Sequence, residues 1–324
     1  MEPLEEAAPE GLAPAEIEAA VSVARRVADN IRRAVEVRTH VMQRVLVALL
    51  AEGHILVEDY PGVGKTALAR ALSRSIDCQF ARVQCTADLL PADIVGTNVY
   101  NQREQRFEFR PGPIFANVVL VDEVNRASPK TQSGLLECMQ ERHVTVDAMS
   151  HELARPFLVF ATQNPVEYEG TYPLPEAQVD RFMVRLSLGY PDANAEAVML
   201  AGHESGDRVL DLEPVADRAE VVGAVETSHR VHASRALRDY IVALLRRTRD
   251  DDRVELGASP RAGLMLLRAA KARALVNGRD HALPDDVQAL AESVLSHRLM
   301  LAPEAAGVTR EEIVRDAIAA VPAL

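Results

Sequence analysis

Glu58-Asp59-Tyr60-Pro61-Gly62-Val63-Gly64-Lys65-Thr66 follows directly on the apolar run His54-Ile55-Leu56-Val57, and this stretch decides how the chain is read. The order is that of a buried strand, a tight glycine-rich turn, and a helix predicted from Thr66 to about Ile76. Gly62 and Gly64 carry no Cβ, so the backbone can curl with its N–H groups facing an anion while the next helix offers its positive end. Asp59, Pro61, Gly62, Val63, Gly64, Lys65, Thr66 and Ala67 therefore form a predicted nucleotide-binding set. Lys65 is placed to reach the β- and γ-phosphates of ATP, and Thr66 to hold Mg²⁺. The general phosphate-loop pattern asks for glycine at position 59, where this chain has Asp59. An ordinary strand-to-helix turn with an exposed lysine thus stays open until a second site is found.

Asn117-Val118-Val119-Leu120-Val121-Asp122-Glu123 supplies that second site, an apolar strand ending in two carboxylates at a distance suited to a neighbouring parallel strand. Asp122 would sit where open α/β sheets bind ligands and would hold Mg²⁺ through water. Glu123 points differently and is suited to act as general base on the attacking water. Alone, an Asp-Glu pair after a strand could be two solvated acids in a helix-approach loop.

Two longer runs, Val121 to Val146 (VDEVNRASPKTQSGLLECMQERHVTV) and Phe160 to Phe182 (FATQNPVEYEGTYPLPEAQVDRF), resemble the MoxR group of AAA+ ATPases. The resemblance extends over roughly residues 15 to 320. In that family an acidic residue often replaces the first phosphate-loop glycine, so Asp59 suits the family where it departs from the general pattern. The resemblance implies further roles. Asn164 matches the sensor-1 position, where a neutral amide orients water without adding negative charge; a turn Asn before Pro165 is the plain alternative. Arg181, in Val179-Asp180-Arg181-Phe182, matches an arginine finger lent to a neighbouring subunit, since guanidinium stays charged and forks onto phosphate oxygens. A surface pair between Asp180 and Arg181 is the alternative, with Arg126 and Arg185 as substitute fingers. Arg261 matches sensor 2, with Ser259 as N-cap and Pro260 as first helical residue; a solvated helical arginine is the alternative.

At 324 residues with 48% hydrophobic content, the chain can hold an α/β domain and a smaller second one, although aromatics are only 4% and Trp is absent. We expect a mobile tail at 1–14, a nucleotide-binding core at 15–190 and a helical lid at 191–324. Cys78, Cys85 and Cys138 are odd in number and lack metal spacing, which points to reduced thiols and a cytoplasmic location. The acidic beginning is no signal peptide, and no apolar run reaches the eighteen or so residues of a membrane span. Net charge is −12, from 36 basic and 48 acidic residues, which disfavours nucleic acid as the main partner. Arg246-Arg247-Thr248-Arg249 runs into Asp250-Asp251-Asp252 and is expected to be a solvated helix end.

Helices are predicted at about 15–34 and 37–51, the second stopped by Gly53. Strands are predicted at 54–58, 79–85, 117–122, 156–161 and 182–188, forming a parallel sheet. Between the second and third, Val99-Tyr100 and Arg106 to Phe109 read as a β-hairpin across a polar turn, and His143 to Pro156 as another. By resemblance these are the helix-2 and pre-sensor-1 inserts, which line or gate the pore of a ring. Lid helices are expected at 194–205, 216–231, 235–250, 260–277 and 284–300, with a last one opening at the capping box Thr309-x-x-Glu312. His229-x-x-His232 lacks a third metal ligand, and Cys138 reads as a small core filler.

The resulting expectation is a Mg²⁺-dependent ATPase forming a homo-oligomeric ring, by resemblance a hexamer, that remodels a protein client. The family is associated with von Willebrand A domain partners and metal-centre assembly. A nucleic-acid-dependent motor, a metal-chelatase ATPase subunit and a nucleotide-gated scaffold are the competing readings.

Overall fold

The computed structural model describes residues 11–147, 149–164, 171–190 and 208–323. The predicted helix at 194–205 and residues 1–10 of the predicted tail lie outside them. Five parallel strands form the central sheet: β1 (Ile55–Glu58), β2 (Phe80–Gln84), β5 (Val118–Asp122), β8 (Leu158–Gln163) and β9 (Val184–Leu186), in the order β2-β5-β8-β1-β9. Every residue of β5 is buried, as are the first five of β8, because these strands are central and covered on both faces. β2 lies at an edge and keeps polar side chains, Arg82 and Gln84 among them. The register sets Gln84 opposite Asp122 and Glu58 opposite Gln163, so these carboxyl ends open onto one rim.

Two helices, Pro14–Ala34 and Thr39–Leu50, precede the sheet. The predicted stop at Gly53 is met differently: the left-handed residue is Glu52 (φ 50°), and Gly53 serves a close approach instead. A Cβ there would lie 2.4 Å from Met183 Sδ and 2.5 Å from Met183 Cβ. Gly53→Ala should accordingly destabilise the fold by about 1–3 kcal/mol, seen as a lowered melting temperature.

β3 (Gly96–Asn101) and β4 (Arg106–Pro111) make the first hairpin, and β6 (His143–Val146) with β7 (Met149–Glu152) the second. Asn98 Nδ2 donates to Asp147 Oδ2 at 2.8 Å and joins the two.

Beyond the sheet come helices Arg218–Arg230, Arg235–Arg249, Pro260–Val276, Pro284–Leu295 and Arg310–Ala320, the last capped by Thr309 as predicted. The helix predicted to reach residue 300 ends at Leu295. The chain tightens into a single turn over Ser296–Arg298, then Met300–Leu301 pairs antiparallel with Val254–Leu256. Tightening carries Arg298 into the interior, where its guanidinium meets Asp180. The Asp250–Asp252 run is also not merely solvated. Asp251 is buried and accepts from Arg253 Nε and Nη2, both at 2.9 Å, which pulls its carboxyl down to about 2.

His54 sits beneath β8, with Nε2 donating to the Met139 carbonyl at 2.9 Å and Nδ1 accepting from Val159 N–H at 3.1 Å. Burial, the dominant cause, holds the imidazole neutral and lowers its pKa from 6.5 to about 4. The unfolded chain takes up this proton first as pH falls, so the stability from neutral His54 is complete above about pH 6.5 and is lost toward pH 4. Buried His297, also lowered chiefly by burial, acts in the same direction. Urea titrations at pH 7 and pH 4 should show a loss on the order of 3 kcal/mol from His54, reduced in His54→Gln. Equal pH slopes in the two proteins would place His54 in water.

Candidate functional site

The loop after β1 turns through Gly62 (φ 87°) and Gly64 (φ 91°), left-handed values that a side chain would strain although the space around both is open. Gly64 is the N-cap of the helix Lys65–Ser75, which starts one residue earlier than predicted. The loop, the end of β2, the end of β5 and the end of β8 enclose a cleft of about 350 Å³. Its wall includes Asp59, Pro61, Gly62, Gly64, Lys65, Thr66, Ala67, Asp122, Glu123 and Asn164. Val63 turns toward the hydrophobic core instead.

Lys65 Nζ donates to the Asp59 carbonyl at 2.9 Å, so the ammonium is held at the loop mouth. Desolvation lowers its pKa, opposed by the charges of Asp59, Asp122 and Glu123, which shows how near these acids stand. Asp122, buried at the end of β5, accepts from Arg82 Nε at 2.6 Å and from Thr162 Oγ1 at 3.2 Å. Glu123 adopts φ 54°, ψ 52°, a conformation that costs a non-glycine residue roughly 1–2 kcal/mol. Its N–H donates to Thr162 Oγ1 at 2.9 Å, and its carboxylate pairs with Arg126 at 2.8 Å. Thr162 therefore fixes the spacing of the two acids. Arg82 and Thr162 escaped the sequence reading because both come from other strands; a guanidinium on an alternating edge strand was the available signal.

Asp59 takes an unforeseen role. It lines the cleft through its backbone, while its buried carboxylate accepts from Ser187 Oγ at 2.7 Å, Leu188 N–H at 2.5 Å and Gly189 N–H at 3.2 Å. The residue in place of the first glycine thus ties the loop to the segment following β9. Asp59→Gly should leave nucleotide affinity within about threefold while costing about 2–4 kcal/mol, because two backbone donors lose their acceptor. Calorimetric binding together with melting checks this.

The structure does not bring Arg181 or Arg261 into the cleft wall. Asp180 does not pair with Arg181; it binds Arg298 and Ser259 instead. Arg126 pairs with Glu123, and Arg185 with Glu58 and Glu311. Arg181 has no ion-pair partner among the described residues, and its Nε is buried without a hydrogen bond. Arg261 rides the first turn of Pro260–Val276, whose N-cap Ser259 accepts from Ala262 N–H at 3.1 Å.

Thr66 hydroxyl and the Asp122 carboxylate are hard oxygen donors that fit Mg²⁺, which keeps several waters and takes few protein ligands. Among the described residues no group of three or more His, Cys, Asp or Glu could cage a metal. His229 Nε2 lies 3.6 Å from Glu52 and joins no such group. Burial raises the thiols of Cys85 and Cys138 to about 12 and about 11, leaving them unreactive fillers. No described helix is long and apolar enough to cross a membrane.

Residues 54–184 match the model of the ATPase family associated with various cellular activities (AAA), and residues 246–317 match the AAA lid domain. The chain is 51% identical to the uncharacterized protein YeaC of Bacillus subtilis over 85% of its length and 87% of that protein's. It is 39% identical to Chaperone MoxR1 of Mycobacterium tuberculosis, over 94% of this chain and 82% of the relative. A candidate ATPase from Cytophaga hutchinsonii, known from a crystal structure, superposes with a TM-score of 0.88 at 37% identity, covering 96% of this chain and 97% of that one.

Proposed function

The chain belongs to the MoxR group of AAA+ ATPases, and on that premise we propose that it binds ATP with Mg²⁺ in the cleft and hydrolyses it. We propose further that it does so within a homo-oligomeric ring, a hexamer by family resemblance, whose cycle remodels a protein client in the cytoplasm. One observation carries the reading: the Lys65 ammonium and the Asp122 and Glu123 carboxylates, from separate parts of the chain, face a single cleft at the carboxyl ends of the strands.

The residues divide the work. Loop N–H groups and Lys65 would seat the phosphates, and Thr66 and Asp122 would hold Mg²⁺, which when bound neutralises phosphate charge. A Glu123 carboxylate oxygen takes the proton of the attacking water, and the Asn164 amide orients that water. The bond from the γ-phosphorus to the bridging oxygen breaks as the new one forms, leaving ADP and phosphate. Before this, Glu123 must leave Arg126, a half-exposed pair worth only about 0–1 kcal/mol and hence readily exchanged. Arg181, whose side chain has no ion-pair partner among the described residues, suits an arginine lent to the adjoining subunit.

A von Willebrand A domain partner and a part in metal-centre assembly are our proposal from the family resemblance; the relative named Chaperone MoxR1 supports a protein client. The two joined hairpins are our candidates for its contact surface, since Tyr100 and Phe107 stack edge-on at 5.3 Å with both rings exposed. Phosphate release measured across protein concentration tests the shared site. The rate per subunit should rise as subunits assemble and vanish in Lys65→Ala; a rate independent of concentration would overturn it.

A further inference from the structure

Both carboxylate oxygens of Asp122 are engaged. Oδ2 accepts from Arg82 Nε at 2.6 Å, and Oδ1 from Thr162 Oγ1 at 3.2 Å. The two donors differ in freedom. Thr162 is buried in β8, whereas the Arg82 side chain is 51% exposed against 10% for Asp122. Arg82 lies on β2, the edge strand, and shares a face of the sheet with Gln84, since side chains alternate along a strand. The register pairs Arg82 with Leu120 and Gln84 with Asp122, so the guanidinium reaches Asp122 along the diagonal, with Nη2 donating to Gln84 Oε1 at 3.3 Å. Arg82, Gln84 and Asp122 all line the nucleotide cleft.

We propose that Arg82 is a positioning residue that stands in for the metal: it occupies the Asp122 carboxylate and yields it only to an ion that arrives with nucleotide. This rests on the reading that ATP binds in the cleft with Mg²⁺ held by Asp122. A buried carboxylate stripped of its cation is strongly disfavoured, so Asp122 keeps Arg82 until another positive charge replaces it. Exchange is open on one side only. Asp122 cannot turn to solvent, but half-exposed Arg82 can leave for water at little cost. Mg²⁺ gives up its own water reluctantly, so for a single carboxylate it competes poorly with a charged hydrogen bond already formed. Phosphate oxygens sharing the ion reverse that balance. Arg82 thereby keeps the site from filling with metal alone, and also covers the charge that Asp122 would otherwise present to an incoming triphosphate.

Metal binding measured without turnover tests this. Mn²⁺ serves as the probe, its free concentration followed by paramagnetic resonance in the absence of nucleotide. Arg82→Gln should bind Mn²⁺ about tenfold more tightly than the unaltered chain, and the gain should vanish in Arg82→Gln/Asp122→Asn. Binding of ATP in the presence of a chelator should move the opposite way, weakening by about threefold to tenfold, because Asp122 then faces the phosphates without a counter-charge. Opposed signs are the discriminating result, since an arginine that only supports the fold would lower both affinities when removed. Arg82→Lys, which keeps a cation but loses the Nε bond, should show a smaller gain in the same direction and decides the matter if Arg82→Gln fails to fold. Mn²⁺ binding unchanged or weakened in these variants, or a gain that survives the loss of Asp122, overturns the inference and leaves the cleft standing as an ATP site. No ATP binding by the unaltered chain, with or without Mg²⁺, overturns the site itself.

Discussion

Glu123→Gln should bind ATP as tightly as the unaltered chain and turn it over about 10²–10⁴-fold more slowly. The amide matches the carboxylate in shape and can still accept from Arg126, so the strained left-handed turn and its bond to Thr162 persist. What it cannot do is accept the proton of the attacking water. Loss should therefore fall on kcat and leave the nucleotide dissociation constant within a few-fold. Single-turnover phosphate release beside equilibrium binding separates the two. Unchanged turnover would remove Glu123 as base and shift attention to Asn164 or to water alone. A trapped ATP state would also serve to capture the client.

Arg181→Ala should lower turnover by about 10³–10⁵-fold without disturbing the cleft of its own subunit, because Arg181 does not line it. Mixed in equal amounts with Glu123→Gln subunits, themselves nearly inactive, it should regain up to roughly a quarter of the original rate, since a quarter of random junctions in a closed ring join an intact base to an intact finger. Two inactive preparations becoming active on mixing is a result that only a shared site produces. A mixture as inactive as its parts would place Arg181 in its own subunit's structure and would return the finger role to Arg126 or Arg185.

Much of the fold was legible because it is local. Each predicted core strand lies within two residues of its observed position, since continuous apolar runs such as Val118–Val121 have no other stable home than a sheet covered on both faces. Turn chemistry marked both hairpins, and Ser259 and Thr309 marked their helix starts. The predictions failed where a distant partner decided the outcome. Gly53 read as a helix stop, yet Met183, far along the chain, is what excludes a Cβ there. A surface pair between Asp180 and Arg181 stood as the alternative to the finger, and it is Arg298, 118 residues away, that holds Asp180. The helix expected to continue to residue 300 stops short where Arg298 turns inward.

The site divides along the same line. Residue order alone establishes the phosphate loop and the paired acids, because a strand, a glycine turn and a helix start lie within a dozen consecutive positions and their chemistry needs no outside partner. Folding alone establishes that Thr162 spaces Asp122 from Glu123, that Arg82 neutralises Asp122, and that Asp59 grips the segment after β9 rather than a phosphate. These contacts depend on which strands become neighbours, and strand order follows from burying the whole core at once, a global quantity that no short window of residues contains.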